Sequence, residues 1–231
     1  MSQDPIVRAL QKFTSCDVAD ALLKLNHPHG GFLANLTMWS PKRQDGPTKI
    51  IGPAYTVKYV PKNHGTAPKH QGHYIDTIPP HSILFISSPS HTINAVYGGL
   101  MSARAQHSHA AGTVVDGRVR DLQEHRDLQY PVFAKDVGTT APQEFLRVSE
   151  VNVPVRLQSE EQEATVWPED YLIGDLNGVV CLPRGLAGKA VALMESQVVA
   201  DERIAGDLRE GRPFGESSRE HRAKVMKVED L

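Results

Sequence analysis

The sequence predicts an α/β fold with a β-rich part and flanking helices, and three features carry that prediction. Between Lys49 and Lys135, short apolar runs alternate with helical patterns, the order expected when strands of one sheet are joined by crossover helices. After Val153 the alternation gives way to short strand-like runs set off by turn signals, Asn177-Gly178 among them. One long helix then runs from Leu186 to Ile204 with Ala187, Val191, Met194 and Val198 on a single face.

In chain order, Asp4 to Lys12 and Cys16 to Leu25 read as two short helices. The hydroxyls of Thr14 and Ser15 can cap the second, and Asp17 and Asp20 suit its positive end. Ile50 to Val60 is strand-like, with Gly52-Pro53 marking a bulge or an edge, and a polar stretch follows from Pro61 to about Gln71. Past the Pro79-Pro80 break, Ser82 to Ser87 is the short apolar run of a buried strand. Asn94 to His107 has Val96, Leu100 and Ala103 at helical spacing, a stripe that would lie against a sheet. Then come a strand at Gly112 to Val115, a loop at Asp116 to Val119, a helix from about Asp121 to Leu128 and a strand at Pro131 to Lys135. Val153 to Leu157, Ala164 to Trp167 and Gly178 to Leu182 form the β-rich part.

No repeat, low-complexity block or composition shift divides the chain, so one domain over 1–231 is expected, with roughly 206–231 as a polar C-terminal arm that can touch a neighbouring subunit. The formal charge of −2 comes from interspersed acids and bases. That leaves no footprint for DNA, RNA or an anionic membrane, and points to a small substrate. Two distant cysteines, Cys16 and Cys181, offer neither a disulfide framework nor a zinc motif, which suits a cytoplasmic location. The start Met1-Ser2-Gln3-Asp4-Pro5 lacks signal-peptide character, and no apolar run nears the roughly 20 residues of a membrane span.

The informative region is Asn94 to Met101 followed by Val114 to Glu124. Gly98-Gly99 lies near a predicted helix start, where free N–H groups and the helix dipole can hold a carboxylate. Arg120-Asp121 sits at a strand-to-helix turn, the edge where α/β sheets bind ligands. Glu124, three residues on, shares a helix face with Asp121, and two such carboxylates can bind a hard cation whose remaining positions are filled by water. On spacing alone the plain alternatives are the favoured ones: a glycine pair for close packing, an Asp cap and a solvated acidic face. His70 with His73 and His107 with His109 invite a zinc reading, but no third ligand has matching spacing. Lys135 could reach a carboxylate or simply be a solvated strand-end charge, no buried Schiff-base lysine is evident, and the ordinary nucleotide-binding motifs are absent.

Gly99, twenty residues, Arg120-Asp121, two residues and Glu124 together resemble the G-x20-R-D-x2-E pattern of the RraA-like family. Thr14 to Leu22, Gly52 to Val57 and Pro131 to Ala134 are similar to stretches of that family in the same order, so the resemblance covers roughly Phe13 to Pro183. It implies a layered β/β/α swivelling-domain-like fold and a homotrimer or dimer of trimers. It also implies the chemistry of class II 4-hydroxy-4-methyl-2-oxoglutarate aldolases and oxaloacetate decarboxylases. By that resemblance the backbone of Gly98, Gly99, Leu100 and Met101 binds the carboxylate of a small 2-oxo acid, and Arg120 donates to the 2-oxo oxygen. Asp121 holds Mg²⁺ or Mn²⁺ with Glu124 as a water-mediated partner, and the cation acts as a Lewis acid toward a pyruvate enolate. The dedicated aldolases of the family carry Asp where this chain has Gly99, a departure that favours decarboxylation. Two other outcomes stay open: a non-catalytic protein that docks on a ribonuclease, and a related oxo-acid lyase or hydratase of a specialised pathway.

Overall fold

The computed structural model describes residues 4–231, so the N-terminal reading at Met1, Ser2 and Gln3 lies outside the described residues. Its strands are β1 (Phe32–Leu33), β2 (Thr37–Ser40), β3 (Ile50–Pro61), β4 (Ile83–Ser87), β5 (Ala95–Tyr97), β6 (Gly112–Val119), β7 (Val132–Val137), β8 (Leu146–Val151), β9 (Val155–Arg156), β10 (Thr165–Val166), β11 (Tyr171–Asp175) and β12 (Gly178–Leu182). Its α-helices are α1 (Pro5–Leu10), α2 (Ser15–Lys24), α3 (Gly99–His107), α4 (Leu122–Asp127), α5 (Ala187–Arg209) and α6 (Phe214–Arg222). No helix among them is long and apolar enough to cross a membrane.

One mixed sheet runs in the order β1-β12-β11-β3-β4-β6-β7-β2, with β5 added beside β6 and β8 beside β3. The centre, β3-β4-β6-β7, is parallel, as the strand and helix alternation requires. All five residues of β4 are buried, the mark of a strand covered on both faces. Its period of two then sorts them: Leu84 and Ile86 join the cluster under α3 and α4, while Ile83 and Phe85 join the opposite cluster with Val114, Phe133 and Leu172. The β11–β12 hairpin turns at Asn177, whose N–H donates to the Asp175 carboxylate (2.9 Å). A third cluster packs α1, α2 and α5 on Ile51, Tyr171, Ile173, Val180 and Leu182. Thr14 and Asp17 close a capping box at the start of α2, worth about 1 kcal/mol for such a cap.

Four expectations change. The stretch Asn94–His107 is not one helix: Ala95–Tyr97 pairs with β6, Gly98 is extended, and α3 starts at Gly99. Its buried face is Gly99, Ser102 and Ala105, whereas Leu100 is 76% exposed. The loop expected at Asp116–Val119 is the second half of β6, because the Asp116 carboxylate is buried against Lys135 and the Gln158 N–H. Strands β2, β8 and β11 had no counterpart in the sequence reading. The helix expected to end at Ile204 continues as α5 to Arg209, and within the polar C-terminal stretch α6 folds back, with Asp207 accepting from Arg212 (2.8 Å) and Ser217 (2.6 Å) and lying 3.0 Å from His221 Nε2.

Candidate active site

Strands β5 and β6 end side by side, with Ala95 opposite Arg118 and Tyr97 opposite Val119, so the two chains leave the sheet at one edge. The Arg120 N–H still donates to the Tyr97 carbonyl (3.0 Å). Asp121 then takes a left-handed conformation (φ 60°, ψ 44°) to turn the chain into α4, a backbone state that costs a non-glycine residue of order 1–2 kcal/mol. That turn brings its carboxylate back over Gly98-Gly99. Asp121 Oδ2 accepts from the Gly99 N–H (3.2 Å) and lies 3.3 Å from Arg120 Nε.

Both glycines are required by close approach. A Cβ on Gly98 would stand 2.5 Å from Asp121 Oδ2 and 3.3 Å from Arg120 Cγ. A Cβ on Gly99 would overlap the Glu124 carboxylate and come within 2.5 Å of its Cβ. Both carboxylates and the guanidinium therefore converge on one short piece of backbone at the positive end of α3. Of the first-turn N–H groups, Gly99 serves Asp121 and Met101 serves the Gly98 carbonyl, leaving that of Leu100 without a partner among the described residues. The side chains of Arg120 and Asp121 are a little over one third exposed. They open into a cleft of about 760 Å³ that Tyr59, Met101, Val148, Lys62, Lys69, His73 and Arg147 also line.

Beneath the cleft lies a buried polar chain. His125 Nδ1 is 2.8 Å from Ser102 Oγ, Ser102 Oγ is 3.1 Å from the Tyr97 hydroxyl, and Thr113 Oγ1 is 3.0 Å from Tyr97 and 3.2 Å from Tyr130. The Tyr97 and His125 rings stack at 5.7 Å. His125 is fully buried and its Nε2 has no hydrogen-bond partner. Burial lowers the pKa of the ring, outweighing the Arg120 main chain and the Asp121 carboxylate, which favour the charged form. A neutral imidazole thus ties α3 to α4 directly under the residues that form the site. Burial likewise pushes the Tyr97 hydroxyl far above its ordinary value, which leaves it a neutral hydrogen-bonding group.

The structure brings Gly98, Gly99, Leu100, Met101, Arg120, Asp121 and Glu124 together at one mouth. It does not bring Lys135 there: that ammonium lies 2.5 Å from Asp116 Oδ1, also donates to the Gln158 carbonyl, and lines a separate cleft of about 410 Å³. Among the described residues no three His, Cys, Asp or Glu side chains gather as a metal cluster. His73 instead uses Nδ1 to accept from the Ile75 N–H (3.3 Å), and its ring lies tilted against that of Tyr74 at 4.9 Å. Sequence reasoning missed the cations Lys62, Lys69 and Arg147 that line the cleft, and the His125 chain. β8 gave no clean signal for the first, because its buried residues Leu146 and Ser149 stand three apart rather than two, where the pairing with β3 shifts register. No periodicity marks a buried histidine beside an exposed glutamate.

The family model described as RraA-like, Aldolase/RraA, matches residues 15–181. Protein DlpA of Legionella pneumophila is 30% identical over 212 residues, 91% of this chain but 33% of that protein, so the chain spans about a third of that relative's length. A Halalkalibacterium halodurans protein described as a putative 4-hydroxy-4-methyl-2-oxoglutarate aldolase is 26% identical over 155 residues, 67% of this chain and 69% of that one. Among solved structures, Streptomyces coelicolor RraAS2, described as an unusual member of the RNase ES inhibitor RraA protein family, superposes with a TM-score of 0.72 at 23% identity. It covers 92% of this chain and 99% of its own, which shows a shared fold. With a family model matching most of its length, and with glycine, arginine and carboxylates brought to one edge of such a sheet, this chain belongs to the RraA-like family.

Proposed function

We propose that the chain is a carbon–carbon lyase that cleaves a small 2-oxo acid with the help of a divalent cation, Mg²⁺ or Mn²⁺. The products would be pyruvate and carbon dioxide from oxaloacetate, or two oxo acids from 4-hydroxy-4-methyl-2-oxoglutarate. The observation that carries this reading is the convergence of Arg120, Asp121 and Glu124 on the Gly98-Gly99 backbone. Gly99, in place of the Asp that the resemblance assigns to dedicated aldolases, tips it toward decarboxylation. The Halalkalibacterium relative's description supports the same class of chemistry.

In this reading the substrate carboxylate docks on the Leu100 N–H and the dipole of α3, beside the Asp121 and Glu124 side chains that take the space a glycine side chain would fill. Arg120 Nε lies 3.3 Å from Asp121 Oδ2, and its terminal nitrogens would serve the 2-oxo oxygen. When the bond between C3 and C4 breaks, its electron pair delocalises onto that oxygen, and an aimed cationic donor in a partly desolvated cleft lowers the barrier most there. C3 then takes a proton: in decarboxylation as carbon dioxide departs, and in retro-aldol cleavage as the C4 hydroxyl gives up its own proton and the second oxo acid leaves with a carbonyl at C4. Asp121 and Glu124 fit a hard cation that is held by one or two carboxylates and completes its shell with water and ligand. Such an ion, when bound, supplies Lewis-acid polarisation of the oxo acid.

A homotrimer or dimer of trimers in the cytoplasm is part of the proposal. The ribonuclease-docking alternative has no comparable support, since a docking surface does not require a carboxylate pair beside an arginine. The test is pyruvate release from a panel of 2-oxo acids with and without chelator. Release that chelation abolishes and Mg²⁺ or Mn²⁺ restores is expected; no release from any panel member with metal present would reject the reading.

A further inference from the structure

We propose that a second cleft, at the β1–β12 end of the sheet, binds a small methylated ammonium ion through the aromatic side chains of Phe32 and Trp167 and the buried carboxylate of Asp170. It shares no residue with the cleft at Gly98 and Arg120, so it stands apart from the lyase reading. Its volume of about 300 Å³ is at the small end of the roughly 300–1,000 Å³ of ligand sites, and Pro28, Phe32, Leu33, Trp167 and Pro183 give it apolar walls. Trp167 is 57% exposed and Phe32 40%, and among the described residues no ring or cation stacks on either. Both present aromatic surface that the fold itself leaves uncovered.

The charge of this cleft is one-sided. Glu163 and Asp170 line it, and no lysine or arginine does. Glu163 is exposed and has Arg156 as its partner (3.2 Å), which leaves Asp170. That carboxylate, in a residue only 6% exposed, accepts from the N–H groups of Trp167 (3.1 Å) and Arg184 (3.0 Å) and lies 3.7 Å from Cys181 Sγ, all neutral donors. The Arg184 guanidinium goes to Glu169 instead (3.3 Å). The other buried aspartate, Asp116, has Lys135 at 2.5 Å, whereas no cation among the described residues pairs with Asp170. His27 also lines the cleft, but burial lowers the pKa of its ring against the pull of Asp170, so at neutral pH it brings no charge. A buried carboxylate without a counter-ion is costly, and a cationic ligand relieves that cost.

The kind of cation follows from what the carboxylate has left to give. Its oxygens are already engaged by main-chain N–H groups, so a ligand is drawn by charge more than by new hydrogen bonds. A hard metal ion needs roughly six to eight oxygen ligands, and among the described residues no three His, Cys, Asp or Glu side chains gather. A methylated ammonium needs no such shell, is weakly hydrated, and is attracted to aromatic faces. The walls are also set in advance. The Gln162 carboxamide accepts from the Ala34 N–H (2.7 Å) and donates to the Phe32 carbonyl (2.8 Å), which ties the segment before β10 to β1. Gly31, at φ 70°, lies so close to β12 that a Cβ there would overlap the Cys181 carbonyl oxygen.

Calorimetric titration with choline, beside the neutral alcohol in which carbon replaces its nitrogen, isolates the charge. Choline should bind about tenfold more tightly than the alcohol, the scale of a desolvated cation against an aromatic wall. It should also perturb tryptophan emission, since of the two tryptophans Trp39 is buried and Trp167 exposed. Trp167→Ala keeps the main-chain N–H that Asp170 uses and should weaken choline by about fivefold. Asp170→Asn should bring choline down to the level of the alcohol; should that variant fail to fold, Trp167→Ala and the alcohol decide. Equal binding of choline and alcohol, no saturable binding of choline, or an affinity unchanged in Trp167→Ala would overturn the proposal. Potassium competing as well as choline would overturn it too, because the site would then take any small cation.

Discussion

Gly99 and Asp121 each do something no other residue does as well in their places. Gly99 adopts an ordinary backbone conformation, so its requirement comes from Glu124, whose side chain lies over its Cα. Gly99→Ala is expected to displace the whole Glu124 side chain rather than only its tip. Activity should fall at least tenfold, stability should drop by about 1–3 kcal/mol as for overpacking, and adding Glu124→Ala should cost little further activity; additive losses would contradict the contact. Asp121 sits in the left-handed region, where Asn is the best-tolerated alternative after glycine. Asp121→Asn should therefore keep the fold within about 1 kcal/mol of the parent in urea unfolding, yet lose the charge that a cation needs, with turnover falling by a hundredfold or more. The motif that holds these residues was legible because chemistry-bearing types recur at family spacing. The contact of Glu124 with Gly99 was not, because it depends on how β5 and β6 align.

At the scale of elements, the tie between Ser102 and His125 holds α3 and α4 at the spacing the cleft needs. A histidine whose folded pKa lies below its ordinary value binds fewer protons in the native than in the unfolded state. Stability should therefore decline as pH falls below about 6.5, the unfolded value, until the folded ring also titrates. Urea midpoints at pH 7.5 and 5.5 should show this decline in the wild type and a smaller one in His125→Asn. An unchanged pH slope would place the histidine outside the effect. Elements marked by apolar runs and caps, such as α2, β4 and β7, were readable because local pattern and tertiary burial agree. The second half of β6 was not, since the burial of Asp116 depends on Lys135, a partner nineteen residues away. The helix expected across Asn94–His107 failed for a related reason: Val96 takes part in a sheet edge that no local period reveals.

For the whole molecule, a sheet covered on both faces, with α1, α2 and α5 on its antiparallel flank, leaves one parallel-strand edge free for the site. The alternation of strands and helices made that architecture legible, whereas the back-folded α6 was hidden by a polar composition that suits an arm and a hairpin equally. The Asp207 hub, whose carboxyl is held below its usual range by Ser217, His221 and Arg212, is expected to keep α6 docked. Asp207→Ala should accelerate tryptic cleavage after Arg209, and an unchanged digestion rate would count against the hub. The most direct measurement of the central claim is pyruvate release from oxaloacetate by Arg120→Ala beside the parent, at equal folded fraction by circular dichroism. The account predicts at least a hundredfold loss of kcat/KM with an unchanged spectrum and melting point, because a partly exposed arginine at the strand end serves the developing oxyanion and not the core. A variant that releases pyruvate at near-parent rates would contradict it.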